Sequence, residues 1–242
     1  MKIIAITTPK VTDEDASIIK HLIDRGIDII HLRKPDSDIG ECRRLLAKLS
    51  VGQREKIIIH DYPELYFEFS LKGIHINKNV TSLPHGYNGF KTRSCHTLEE
   101  ITRYKDDYDY LFLSPIYDSI SKAGYKSGFS KEVLMQASAN GVIDEKVIAL
   151  GGVTFDKIVA LKALNFGGVA MIGAIYNLDI LKKQSLITPP LRHEPESKDW
   201  GIQIDIYKSQ SRPISQRTAL IFLLQGSDNL TRRLRLIFNV QL

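Results

Sequence analysis

The stretch Tyr110-Leu111-Phe112-Leu113-Ser114-Pro115-Ile116-Tyr117-Asp118-Ser119-Ile120-Ser121-Lys122 reads as a continuous apolar strand that breaks at Ser-Pro and opens into a polar loop. A strand without polar alternation is one covered on both faces, as in a parallel sheet flanked by helices. The loop beyond it carries the hydroxyls of Ser119 and Ser121 and the ammonium of Lys122. Hydroxyls donate directionally and an ammonium supplies charge, which suits a phosphorylated ligand at the C-terminal end of a strand. Read alone, the same residues make an ordinary solvated Ser/Lys turn.

Seven similar runs surround it: Ile3–Thr7, Ile27–Leu32, Lys56–His60, Gly73–Ile76, Phe90–Ser94, Val147–Leu150 and Gly168–Ile172. Amphipathic stretches lie between them. Asp13–Arg25 places Ile18, Ile19, Leu22 and Ile23 on one face, and Asp36–Leu49 turns Cys42, Leu45, Leu46 and Leu49 inward. Leu98–Tyr104, Lys131–Ala139 and Phe155–Leu164 follow, the last with Thr154 as its expected N-cap. Asn77–Gly89, with Pro84, Gly86 and Gly89, reads as loop rather than helix. Eight strands with interposed helices argue for an α/β fold of the (β/α)₈ TIM-barrel type. A doubly wound open sheet is the alternative, but the first turn, Thr7-Thr8-Pro9-Lys10, lacks the glycines such a sheet usually places there.

A barrel of this kind carries its function at the C-terminal strand ends. Those ends hold His31, Arg33 and Lys34, then His60 and Asp61, His75 and Asn77, Ser94 and His96, and the Ser114–Lys122 loop. Gly151-Gly152 follows the seventh strand and Gly173 the eighth. Glycines there let backbone N–H groups approach a phosphate closely, so a phosphate site is expected at this end.

The chain has 242 residues and a hydrophobic fraction of 43%, enough for one barrel-sized core. No run of about 18 apolar residues is present, so no membrane span is expected. The N-terminus enters a strand-like run at once, without the pattern of a secretory leader. Cys42 and Cys95 are the two cysteines, no Cys/His spacing resembles a zinc site, and a reducing cytoplasm fits best. The net charge of +5 is concentrated: residues 181–242 hold 10 Lys+Arg against 5 Asp+Glu, leaving 23 of each in residues 1–180. The basic balance is therefore no argument for nucleic-acid binding by the barrel.

The ordered set His31-Leu32-Arg33-Lys34, Ile59-His60-Asp61, Gly73-Ile74-His75, Ser94-Cys95-His96-Thr97, Ser114–Lys122, Ala149–Val153 and Gly168–Gly173 resembles the thiamine phosphate synthase/TenI family, from about Lys2 to Ile175. For the synthase branch, the resemblance implies a joining reaction. Aminomethyl-pyrimidine diphosphate ionises to a pyrimidine cation and pyrophosphate, and the nitrogen of thiazole phosphate captures the cation. It implies that Arg33 binds the diphosphate, Asp61 a magnesium ion, Lys122 the pyrophosphate and Ser94 its flank. Ser119 and Ser121 stand where two threonines hold thiazole phosphate, and Gly152 and Gly173 match backbone contacts to it.

The departures are specific. The synthase pattern reads Gln-x-Arg-x-Lys, but here His31 replaces the glutamine and Pro35 the final lysine, which leaves Lys34 to supply that phosphate-binding charge from the adjacent position. His60 stands for an asparagine, and the second magnesium carboxylate falls near Asn79-Val80, where there is none. Mg²⁺ is still the implied cofactor, through a weakened site with one carboxylate plus phosphate oxygens. The lost carboxylate and added histidines keep two further readings open. One is a TenI-like thiazole tautomerase using His31 or His60 for proton transfer, since the family's tautomerase histidine falls on Pro115. The other is a non-catalytic thiazole phosphate-binding regulator. Both histidines have a plainer reading too, as hydrogen-bonding groups inside the barrel mouth. The substrates implied are small phosphorylated pyrimidines and thiazoles, and the sequence leaves the oligomeric state open, a homo-oligomer included. Residues 1–180 thus read as the barrel, and residues 181–242 as a basic C-terminal extension of unknown role, poorly ordered or adventitious.

Overall fold

A computed structural model describes residues 1–118 and 128–176. Eight parallel strands close into a barrel in sequence order: β1 (Lys2–Ile6), β2 (Ile29–Leu32), β3 (Ile57–Ile59), β4 (Gly73–Ile76), β5 (Phe90–Cys95), β6 (Tyr110–Leu113), β7 (Val147–Leu150) and β8 (Gly168–Met171). Closure is direct, with Ile3 of β1 opposite Val169 of β8. All eight expected strands are present.

The helices are α1 (Asp15–Asp24), α2 (Ile39–Ala47), α3 (Val51–Arg54), α4 (Leu65–Phe69), α5 (Leu98–Tyr104), α6 (Lys131–Ala139), α7 (Ile158–Ala163) and α8 (Gly173–Tyr176). Asp38 opens α2 with a reciprocal capping box to Glu41, and Ser50 does the same for α3 with Gln53, which satisfies backbone donors that a helix start leaves unpaired. Thr154 precedes a 3-10 turn at Phe155–Lys157 rather than α7 itself, and its side chain makes no capping bond. The short α3 and α4 lay outside the sequence expectation, because one turn of helix shows too little periodicity to read. Asn77–Gly89 is irregular, as expected, so β4 and β5 are joined without a helix.

Alternation along each strand divides the apolar residues into two sets. Ile19, Leu22, Leu45, Leu46, Ile57, Ile59, Leu111, Leu113 and their neighbours fill the layer between strands and helices. Ile4, Ile6, Ile29, Ile58, Tyr110, Phe112, Ile148 and Ala170 fill the barrel interior. Polar residues enter that interior from the same inward positions: His31 on β2, His75 on β4 and Thr92 on β5 are all buried. Among the described residues no helix is long and apolar enough to cross a membrane.

Candidate active site

The strand ends place Arg33, Asp61 and Ser94 on one rim. Arg33 follows β2 and its side chain is exposed. Its backbone is fixed on both sides by one threonine: the Arg33 N–H donates to Thr7 Oγ1 at 3.0 Å, and the Thr7 hydroxyl donates to the Arg33 carbonyl at 3.1 Å. The backbone of Arg33 is thus held by the end of β1, and the residue itself is exposed. Asp61 follows β3 and is half-buried, with Oδ2 accepting from the Lys34 backbone N–H at 3.0 Å. Ser94, near the end of β5, lies with its Oγ 3.1 Å from His75 Nε2.

Lys34 does not reach this rim. Its ammonium lies 2.7 Å from Asp15 Oδ2, and it also donates to the Lys10 carbonyl at 2.9 Å. Both side chains are 1% exposed. The expected phosphate-binding charge is instead one half of a buried ion pair that ties α1 to the end of β2. The reason is burial itself, since an ammonium removed from water needs a carboxylate and further acceptors around it. Asp15 was missed from sequence because an acidic residue in the first helical turn is ordinary there.

Below the rim lies a cluster of imidazoles. His31 Nδ1 is 2.7 Å from His60 Nε2, and His31 Nε2 is 2.5 Å from the Tyr110 hydroxyl. His60 stacks on His75 with ring centroids 4.0 Å apart. His75 Nδ1 lies 2.9 Å from Thr92 Oγ1. Burial holds all three rings well below the ordinary histidine pKa, with mutual repulsion and Arg33 or Arg93 adding to the effect, and His75 is lowered to about 3. They are therefore neutral imidazoles at pH 7. His31 lies within β2 rather than at its end and is fully enclosed, while His60 stands just past β3 at the mouth. Tyr110 and Thr92 were not anticipated as partners, though both occupy inward positions of their strands.

Asn77 closes the β4 exit. Its Nδ2 donates to the His60 carbonyl at 2.7 Å, and its Oδ1 accepts from the N–H groups of Asn79 and Val80. Val80 is buried. This exit is therefore an amide-built turn, with no carboxylate supplied from Asn79 or Val80. Among the described residues, the metal-ligand side chains that gather in threes are His31, His60 and His75.

Across the mouth on the same rim, Gly151 and Gly152 have φ of +91° and +60°, a region that L side chains with a Cβ rarely occupy. A Cβ on Gly152 would stand 2.3 Å from the Asp118 carbonyl oxygen, and one on Gly151 would stand 2.8 Å from Pro115 Cα. The β7 exit and the Ser114–Asp118 segment thus pack backbone to backbone, and only glycine permits that approach. Gly173 opens α8. Pro115 packs against Gly151 and carries no titratable group. His96 Nδ1–H donates to the Ser114 carbonyl at 2.8 Å. Ser119, Ser121 and Lys122 lie outside the described residues.

Asp61 fits a magnesium site of one carboxylate completed by phosphate oxygens, as Mg²⁺ commonly takes one or two carboxylates plus substrate phosphates. The imidazoles do not suit that ion, which prefers oxygen.

A family model described as thiamine monophosphate synthase matches residues 3–175. The crystal structure of thiamine phosphate pyrophosphorylase from Bacteroides thetaiotaomicron is 38% identical, covering 76% of this chain and 90% of that one, with a TM-score of 0.68. The thiamine-phosphate synthases of Mannheimia succiniciproducens and Clostridioides difficile are 26% and 27% identical, over 68% and 69% of this chain and 81% and 82% of theirs. Thiamine phosphate pyrophosphorylase from Pyrococcus furiosus, at 17% identity and a TM-score of 0.59, supports the fold alone. With its eight-stranded barrel, its rim of Arg33, Asp61 and Ser94 and its glycine turn after β7, the chain belongs to the thiamine monophosphate synthase family.

Proposed function

We propose that this thiamine-biosynthesis enzyme joins aminomethyl-pyrimidine diphosphate to thiazole phosphate, releasing pyrophosphate. The observation that carries the reading is the pairing of an exposed, backbone-anchored Arg33 with Asp61 on adjacent strand ends. Arg33 pairs bidentately with the diphosphate and stabilises the charge that grows as it departs. Ser94 donates to the same group. As the family resemblance implies, Ser119, Ser121 and Lys122 bind the phosphates, and the backbone at Gly152 and Gly173 holds the thiazole phosphate. Mg²⁺ bound by Asp61 would neutralise further diphosphate charge.

The neutral imidazoles at the floor have a defined part in this scheme. A cationic ring there would repel the pyrimidine cation, whereas neutral His31 and His60 do not oppose its formation. Holding the thiazole nitrogen close to the pyrimidine carbon then favours capture over escape. The activity resides in the barrel of residues 1–180, and two unpaired, buried cysteines suit a reducing cytoplasm. The decisive experiment supplies both substrates with Mg²⁺ and measures thiamine phosphate. Formation dependent on both substrates is expected, and none at saturating substrate would refute the reading.

A further inference from the structure

His75 on β4 and Thr92 on β5 stand opposite each other on adjacent strands, and Ser94 lies two residues further along β5 on the same inward side. The His75 ring bridges the two hydroxyls. Its Nδ1 lies 2.9 Å from Thr92 Oγ1, and its Nε2 lies 3.1 Å from Ser94 Oγ. His60, stacked at 4.0 Å, and Phe112 at 5.5 Å hold the plane of that ring. Thr92 is fully buried, whereas Ser94 is half-buried near the rim.

We propose that Thr92 and His75 are positioning residues, which fix the direction of this hydrogen-bond relay so that the Ser94 hydroxyl donates outward, to an oxygen of the substrate's diphosphate. The inference rests on the synthase reading for the identity of that oxygen, and deepens it by assigning what aims Ser94.

A neutral imidazole carries one proton, and the bond made by one nitrogen sets the role of the other. Burial keeps His75 neutral. The relay can then run in two directions. In the first, Thr92 donates to Nδ1, Nε2–H donates to Ser94 Oγ, and the Ser94 proton is left for the ligand. In the second, Nδ1–H donates to Thr92 and Ser94 donates to Nε2. The second direction strands the Thr92 proton, because among the described residues His75 is the partner of that hydroxyl. A fully buried hydroxyl proton without an acceptor is costly, while the Ser94 proton can turn to solvent or ligand. The second direction would also turn only lone pairs of Ser94 toward the mouth, and these repel a phosphate oxygen. The buried threonine therefore selects the first direction. It sets a donor at the rim without placing a charge on the floor, where a pyrimidine cation would be repelled by one.

The test uses the full chain. Long-range proton–nitrogen correlation NMR reads imidazole tautomers directly, and His75, assigned through its β4 backbone, should carry its proton on Nε2. Calorimetry with inorganic pyrophosphate and Mg²⁺ then completes a double-mutant cycle of Thr92→Val and Ser94→Ala. Each single variant should weaken binding about 10–100-fold, as expected for the loss of a hydrogen bond to a charged group. The double variant should bind no more weakly than Ser94→Ala alone, and Thr92→Ser, which restores the hydroxyl, should recover most of the affinity. A purely structural role for Thr92 gives the same loss whether or not Ser94 is present. A proton on Nδ1 in the unaltered chain, additive losses in the cycle, or no pyrophosphate binding overturns the proposal. If Thr92→Val fails to fold, the tautomer of the unaltered chain decides alone. Thiamine phosphate formation is scored separately, so an intact cycle without product refutes the synthase reading and leaves the relay standing.

Discussion

Replacing Asp15 by alanine isolates the Lys34 ammonium inside the protein. In the structure this ammonium has Asp15 Oδ2 at 2.7 Å and the Lys10 carbonyl at 2.9 Å, and both charged side chains are 1% exposed. Asp15 Oδ2 also accepts from the Thr12 N–H at 2.7 Å. Removing one member of so buried a pair leaves an uncompensated charge, at a cost of about 3–5 kcal/mol. For a chain of this size that corresponds to a fall in Tm of roughly 6–20 °C. The assay is thermal and urea unfolding followed by circular dichroism, on Asp15→Ala and on the double variant Asp15→Leu/Lys34→Met. The double variant should recover most of the loss, because a buried pair replaced by apolar groups of similar volume is often neutral or stabilising. Activity should follow stability only in part, since the Lys34 N–H also holds Asp61 on the rim. A loss below about 1 kcal/mol in Asp15→Ala would mean that Lys34 finds other solvation, and would refute the assignment of a structural pair.

Arg33→Ala should lower kcat/KM for thiamine phosphate formation by about 10²–10³-fold with little change in Tm, because the side chain is exposed and its loss removes charge stabilisation rather than packing; steady-state kinetics with the diphosphate varied checks this. The three buried imidazoles make stability fall on acidification. Their folded pKa values lie below the unfolded value of about 6.5, so the unfolded chain binds more protons as the pH drops through 6.5, and each can remove up to about 1.4 kcal/mol per pH unit, down to about pH 3 for His75. The urea midpoint should therefore be lower at pH 5 than at pH 7, with a shallower decline in His31→Gln; equal slopes in the two proteins contradict the buried-neutral assignment. Truncation after residue 187 should leave a soluble protein with unchanged activity, since β8 already closes on β1 by Met171; insolubility of the fragment would show that the extension completes the barrel.

The barrel was legible because each strand is a short run of Ile, Val, Leu and aromatic residues bounded by polar turns, and β4, α5, α6 and β7 fall on the expected residues. The rim was legible in part, because Arg33, Asp61 and Ser94 stand at or next to strand ends, where exposure follows from position. Lys34 shows the limit. Arg33 and Lys34 are adjacent on an extended segment, so their side chains leave on opposite faces. One face meets the mouth and the other meets α1, and only the position of Asp15 shows that a carboxylate waits there. The short α3 and α4 were hidden for a different reason, one turn being too brief to show a period of 3.6.

The imidazole cluster follows from the same alternation, read across strands rather than along one. A polar ring inside a barrel must find hydrogen-bond partners there, because none come from water. His31 has two nitrogens, and the interior offers them His60 and Tyr110. His75 has two, and they meet Thr92 and Ser94. These residues therefore work as a set. Restoring glutamine at 31 changes what His60 and Tyr110 must bond, and restoring asparagine at 60 removes the ring that stacks on His75. The two substitutions should consequently be non-additive in stability, the double variant losing less than the sum of the singles, because the second change removes groups that the first has already left short of partners. Additive losses would mean that each histidine is accommodated separately, and that the close approach of their rings carries no shared energy.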